Sequence, residues 1–310
     1  EELADFTIAY TDDGKGVQTQ ELMFEAMEEA RKLDKIIVAH CEDETLLKGG
    51  YIHDGKYAKA HNHKGICSES EWIQVKRDVE LAQKLGTKYH VCHVSTKESV
   101  EIIRNAKKMG VDVTCETAPH YLILTDEDLK EEGRFKMNPP LRDVSDRDEL
   151  IRGIKDGTID MIATDHAPHS LEEKSKGLEK SPFGIVGLEI AFSLMYTHLV
   201  EKNIISLEKL LELMCIKPMK RFEIDKYISI QRQLFENNFD FKKKYIPNRD
   251  KNYYIHDNMN ANFNIIDLNK EHIVDTDTFL SKGKATPFEG DKLRGKVVRT
   301  ILNGKTIWND

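Results

Sequence analysis

Four residues of this chain stand where short apolar runs stop. Asp13 follows "DFTIAY", His40 follows "KIIVA", His93 follows "KYHVC" and Asp165 follows "MIAT". Taken singly, an aspartate after a strand is usually a turn or cap residue, and a strand-end histidine a satisfied core residue. Four of them at the same end of successive units would converge on one patch. Imidazoles and carboxylates together suit zinc, with water completing an open site. Two such ions would need a bridging carboxylate and would share a hydroxide, a strong nucleophile at neutral pH. A further carboxylate beside it could carry the proton to a leaving nitrogen. The implied chemistry is hydrolysis or condensation at an amide-like carbon.

The elements that must present these residues alternate along residues 1–220. Short apolar runs precede helical stretches such as "SEWIQVKRDVELAQKLG", with Ser70 as N-cap and Gly86 as stop, and "KESVEIIRNAKKMG", stopped by Gly110. "FGIVGLEIAFSLMYTHLVEKN" and "SLEKLLELMCIKPMKRF" also read as helices. Such alternation implies parallel βαβ units, and continuous apolar runs imply strands covered on both faces. No glycine-rich phosphate loop follows the first strand, which disfavours a dinucleotide-binding sheet. The expected fold is α/β, a partial (β/α)8 TIM-type barrel with ionisable residues at its C-terminal face. Five strands are expected, ending near Asp13, His40, His93, Glu116 and Asp165. Residues 1–223 would form this barrel portion. Residues 224–261, rich in Asn, Lys and Tyr, read as an insertion or long loop. Residues 262–310 read as strands of a small β domain, with "NG" at 303–304 as a hairpin turn.

Bulk properties exclude several classes. With 39% hydrophobic residues in 310, the chain can build a substantial core. A net charge of −8 without a basic face argues against nucleic acid. No apolar run reaches membrane-spanning length. The five cysteines form no CxxC pair and read as free thiols of a reducing cytoplasm.

Several motifs together resemble the dihydroorotases, of the bacterial class I type within the amidohydrolase superfamily. They are "AHCED" at 39–43, "HVCHVSTKESV" at 90–100, "KMNPPLR" at 136–142, "ATDHAPH" with "EEK" at 172–174, "PFGIVGLE" at 182–189 and "TPFEG" at 286–290. The likeness covers nearly the whole chain outside 224–261. It implies interconversion of N-carbamoyl-L-aspartate and L-dihydroorotate plus water, in pyrimidine synthesis, with one or two zinc ions. It implies that His40 and His93 bind the second zinc. Asp165 would ligate the first zinc and shuttle the proton. The bridging carboxylate would come from "YTDDG", where Asp13 fits better than the adjacent Asp12. Asn138, His169 and the backbone at Phe183–Gly184 would contact substrate. Arg142 could hold a substrate carboxylate or simply anchor its loop. Expected partners are the small-molecule substrate, and a second copy or a carbamoyltransferase.

The family's first strand ends in a His-x-His pair with a substrate-binding arginine, and neither opens this chain. The His61–His63 "HNH" lies in a polar connection and reads as an exposed loop. The chain is therefore expected to be the C-terminal portion of a longer enzyme and incomplete alone. An allantoinase, a hydantoinase-like hydrolase or a non-catalytic dihydroorotase-like subunit are the alternatives.

Overall fold

In chain order the elements that carry the site are β1 (Ala9–Thr11), α1 (Gln20–Lys32), β2 (Ile36–Ala39), β3 (Ile52–His53), α2 (Lys56–His61), β4 (Gly65–Ile66), α3 (Glu69–Leu85), β5 (Tyr89–Val91), α4 (Lys97–Lys108), β6 (Val113–Thr117), α5 (Pro119–Ile123), α6 (Val144–Asp156), β7 (Met161–Ile162) and α7 (Leu171–Lys174). The structure is a computed structural model that describes residues 2–224 and 261–310. The expected insertion at 224–261 thus lies, apart from its ends, outside the described residues.

Five strands form one parallel sheet in the order β1-β2-β5-β6-β7. Tyr10 lies opposite Ile37, Val38 opposite His90, Val91 opposite Cys115 and Thr117 opposite Ile162. Because all five strands run the same way, their C-terminal ends lie together. β3 and β4 form a separate two-stranded parallel pair.

The helices follow from period and caps. In α1, Met23, Met27 and Ala30 recur at helical spacing and are buried. Thr19, Thr96 and Asp143 cap α1, α4 and α6 by accepting backbone N–H groups of the first turn. Gly86 ends α3 in the left-handed conformation, as its sequence suggests. The N-cap of α3 is Ser68 rather than Ser70, whose hydroxyl instead donates to the Cys67 carbonyl. The stretch from residue 183 is not helical until Ala191, where a helix runs to Met195 and continues as a π-turn over Tyr196–Val200. Gly184 has φ +147°, and the Val186 N–H bonds the Ala285 carbonyl, so this part is held off helical geometry.

The described residues divide into two compact units, Glu1–Ala191 with Asp275–Gly290, and Phe192–Val274 with Asp291–Asp310. In the second unit β8 (Phe263–Asp267), β11 (Lys296–Leu302) and β12 (Lys305–Asn309) form an antiparallel sheet, and β9 (His272–Ile273) pairs with β10 (Lys292–Leu293). Asn303 and Gly304, at φ 50° and 75°, turn the β11–β12 hairpin. No helix among the described residues is long and apolar enough to cross a membrane.

Candidate metal centre

Asp13, His40 and His93 come together beyond the ends of β1, β2 and β5. Each offers a ligand atom within 4.8 Å of the others. His40 Nδ1 lies 3.0 Å from His93 Nε2, and both rings are buried. Asp13 Oδ1 is 3.6 Å from the first nitrogen and 3.7 Å from the second. Four-coordinate zinc with bonds near 2.1 Å sets its donors about 3.4 Å apart. The observed separations bracket that value, and the donors are of the right chemistry.

The neighbouring aspartate serves the backbone instead. Asp12 Oδ1 accepts from the His40 N–H at 2.9 Å and Oδ2 from the Val17 N–H at 2.8 Å. Successive side chains at a strand end point opposite ways. One of the pair therefore fixes the β2 end, and the other faces the imidazoles.

Charge in the cluster is strongly shared. The His93 imidazole holds the Asp13 carboxyl down to about 2, against the opposing effect of its partial burial. Burial disfavours charge on His93, but Asp13, Asp165 and Glu116 outweigh it and raise His93 to about 9. Asp165 stands outside the three-residue group but feels its field. Burial pushes its carboxyl above the usual range, Asp13 and Glu116 add to this, and His93 and His40 oppose it. Its Oδ2 is buried with no hydrogen-bond partner among the described residues. His93 and Asp165 also have φ of 33° and 45°, in the left-handed region that non-glycine residues seldom occupy. Such backbone outliers concentrate at functional sites.

Two carboxylates that sequence reasoning missed support the centre. Glu42 Oε2 lies 3.6 Å from the far nitrogen of His40, Nε2, and accepts from Asn138 Nδ2 at 3.1 Å. Glu71 is buried in α3 and accepts from the N–H and hydroxyl groups of both Ser95 and Thr96 and from the Ser99 hydroxyl. It thereby clamps the loop that leaves His93. The signal for Glu71 was its place on the α3 stripe with Val75, Asp78 and Ala82, all buried.

The remaining expected residues are placed as follows. Asn138 is half-buried, and its Oδ1 has no partner among the described residues. His169 Nε2 donates to the Phe183 carbonyl at 2.9 Å, and the Gly184 N–H donates to the Lys136 carbonyl at 3.0 Å. A Cβ on Gly184 would sit 2.4 Å from the Ala167 carbonyl oxygen, so this turn requires glycine. Arg142 is buried and spends its donors on Ser95 Oγ, the Ile66 carbonyl and His53 Nδ1. Of its two readings, the geometry is that of a loop anchor. Glu116, in β6, lies 3.3 Å from buried His90. A second cluster, His53, Asp143 and Asp146, also gathers ligand atoms. The Arg142 guanidinium 3.3 Å from His53 Nδ1 already supplies its positive charge.

The "HNH" segment, expected as an exposed loop, is exposed at His61 and Asn62 but starts on a helix and leaves it as a turn. His61 ends α2, and Asn62 caps it in the left-handed conformation. Tyr57 stacks on His61 at 4.1 Å, while His63 bonds the Tyr51 hydroxyl and Glu131, each at 2.8 Å.

Comparison with known proteins bears on the family. A family model described as dihydro-orotase-like matches residues 1–99. The dihydroorotase of Geobacillus sp. (strain WCH70) is 47% identical over 315 residues, which cover 99% of this chain and 68% of that protein. The dihydroorotase of Fusobacterium nucleatum is 48% identical over 311 residues, covering 100% of this chain and 67% of that protein. Among solved structures, the L-hydantoinase (dihydropyrimidinase) of Arthrobacter aurescens superposes with a TM-score of 0.76 at 28% identity, over 97% of this chain and 63% of that one. With this degree of identity over essentially its whole length, the chain belongs to the dihydroorotase family.

Proposed function

We propose that this chain carries the zinc-binding part of a dihydroorotase, which interconverts L-dihydroorotate plus water and N-carbamoyl-L-aspartate in the cytoplasm. The observation that carries this reading is the convergence of Asp13, His40 and His93 at one end of the parallel sheet. We read that sheet as the last five βα units of a (β/α)8 barrel. His40, His93 and the Asp13 carboxylate would hold zinc, and Asp165 would take part in holding a second ion. Zinc held there supplies Lewis acidity and activates water at neutral pH.

The protein's own groups account for the remaining steps. Asp165 takes a proton from the attacking water. It returns that proton to the ring nitrogen as the amide C–N bond breaks, and it runs the reverse transfer during cyclisation. Asn138, oriented by Glu42, and His169 with the Phe183–Gly184 turn position the substrate. Identity of 47% to a dihydroorotase, against 28% to the hydantoinase, favours the dihydroorotase substrate.

The test is to isolate the protein as its source cell makes it, load it with zinc and offer dihydroorotate, allantoin and hydantoin. Ring opening of dihydroorotate, with cyclisation of carbamoyl-aspartate in reverse, is expected. Preference for either other substrate, or silence towards all three with zinc bound, overturns the reading.

A further inference from the structure

Lys174 is a lysine in an unusual place. It ends the short helix α7, and only 5% of its surface is exposed. Its ammonium bonds three backbone carbonyls, those of Gly184 at 2.7 Å, Pro182 at 2.9 Å and Lys136 at 3.2 Å. A lysine ammonium is strongly hydrated, and an apolar side chain would fill the same space without the loss of that hydration. What the ammonium alone can do is draw several carbonyl oxygens, which otherwise repel one another, to one point. Burial, with Lys136 nearby, brings Lys174 down to about 8, so the three carbonyls hold a charge under strain from its surroundings.

The carbonyls belong to two separate segments. Lys136 begins the run that leads to Asn138. Pro182 and Gly184 flank Phe183, whose own carbonyl accepts from His169. A second cation works on the same turn, since the Lys136 ammonium lies 4.6 Å from the centre of the Phe183 ring.

We propose that Lys174 is a positioning residue of the substrate pocket, whose ammonium ties the Asn138 segment to the Phe183–Gly184 turn through the carbonyls of Lys136, Pro182 and Gly184. The inference rests on the dihydroorotase reading for its kinetic consequence, but not for its structural one.

The test compares wild type, Lys174→Ala and the neutral, similarly sized Lys174→Met, all in the complete enzyme loaded with zinc. Three quantities are read: amide hydrogen exchange of residues 183–186, KM and kcat for dihydroorotate, and zinc content. In Lys174→Ala, exchange in 183–186 and KM are each expected to rise about tenfold, with kcat within about threefold and zinc content unchanged. Added n-propylammonium replaces the three carbons and ammonium that alanine lacks, and should reverse both changes. Lys174→Met should show the same rises without rescue, and it decides the matter if Lys174→Ala does not fold. Wild-type exchange and KM in Lys174→Met, or a defect in Lys174→Ala that lies in zinc content or kcat and ignores propylammonium, overturns the proposal. A silent wild type whose Lys174→Ala variant still shows exchange reversed by propylammonium overturns the dihydroorotase reading and supports the clamp.

Discussion

At the residue scale, Asp12 and Asp13 show what one step along a chain changes. Both follow β1, yet one holds two backbone amides and the other faces two imidazoles. Asp13→Asn is therefore expected to weaken zinc binding at least about tenfold in chelator competition, because it removes an anionic donor. Asp12→Ala is expected to cost about 2 kcal/mol in denaturant unfolding, the worth of two charge-assisted hydrogen bonds. Equal effects of the two substitutions on zinc affinity would contradict the assignment. Glu42 lies against both the His40 imidazole and Asn138. Burial opposes its charge, but His40 and Asn138 outweigh it and hold the carboxyl below the usual range. Glu42→Ala should lower zinc affinity about 10- to 100-fold, as loss of a carboxylate behind a ligand histidine does, and should also raise KM. Zinc affinity and KM that both stay at wild-type values would remove Glu42 from the site. The preference for Asp13 over Asp12 came from the resemblance to the family, since the residues alone do not say which way each side chain turns. Glu42 was hidden because its partner Asn138 lies 96 residues away.

At the element scale, the apolar runs made the five strands legible, because a strand covered on both faces must be apolar throughout. The stretch over 183–190 misled because its apolar residues suit a helix, while the turn at Gly184 is set by close packing against Ala167 and His169. The end of β5 owes its shape to Glu71. Glu71→Ala would strand two N–H groups in the interior and take the shared acceptor from three hydroxyls, at a cost of about 3 kcal/mol measured by denaturant. A change below about 1 kcal/mol would show that the loop after His93 does not depend on it. Two buried groups that meet at the start of α6, His53 from β3 and Asp146 of α6 itself, respond oppositely to pH. Burial, with Arg142 beside it, lowers His53 to about 4, so its contribution is present above pH 6.5 and lost as pH falls towards 4. Burial raises Asp146 to about 6, so its contribution is lost as pH rises from 3.8 through 6. Each is worth up to about 3 kcal/mol, and over pH 4–6 they offset one another. Asp146→Asn retains an acceptor for the Lys97 N–H but removes the titration. Its stability should therefore fall more steeply than that of wild type between pH 6.5 and 4. Parallel pH curves for the two proteins would refute the opposition.

At the scale of the whole molecule, the parallel order of the sheet turns four sequence positions, spread from Asp13 to Asp165, into one neighbourhood. That convergence was readable because it needs only strand direction and the rule that functional residues gather at the C-terminal ends of parallel strands. The clamps behind it, Lys174 on its carbonyls and Glu71 on its loop, were not, since each needs partners that only the folded chain brings close. The central claim is that this neighbourhood is a zinc site, and zinc-edge anomalous diffraction from crystals of the zinc-loaded protein tests it most directly. The expected result is a peak bonded to His40 Nδ1, His93 Nε2 and the Asp13 carboxylate. Zinc bound elsewhere, with these three residues uncoordinated, would contradict the account.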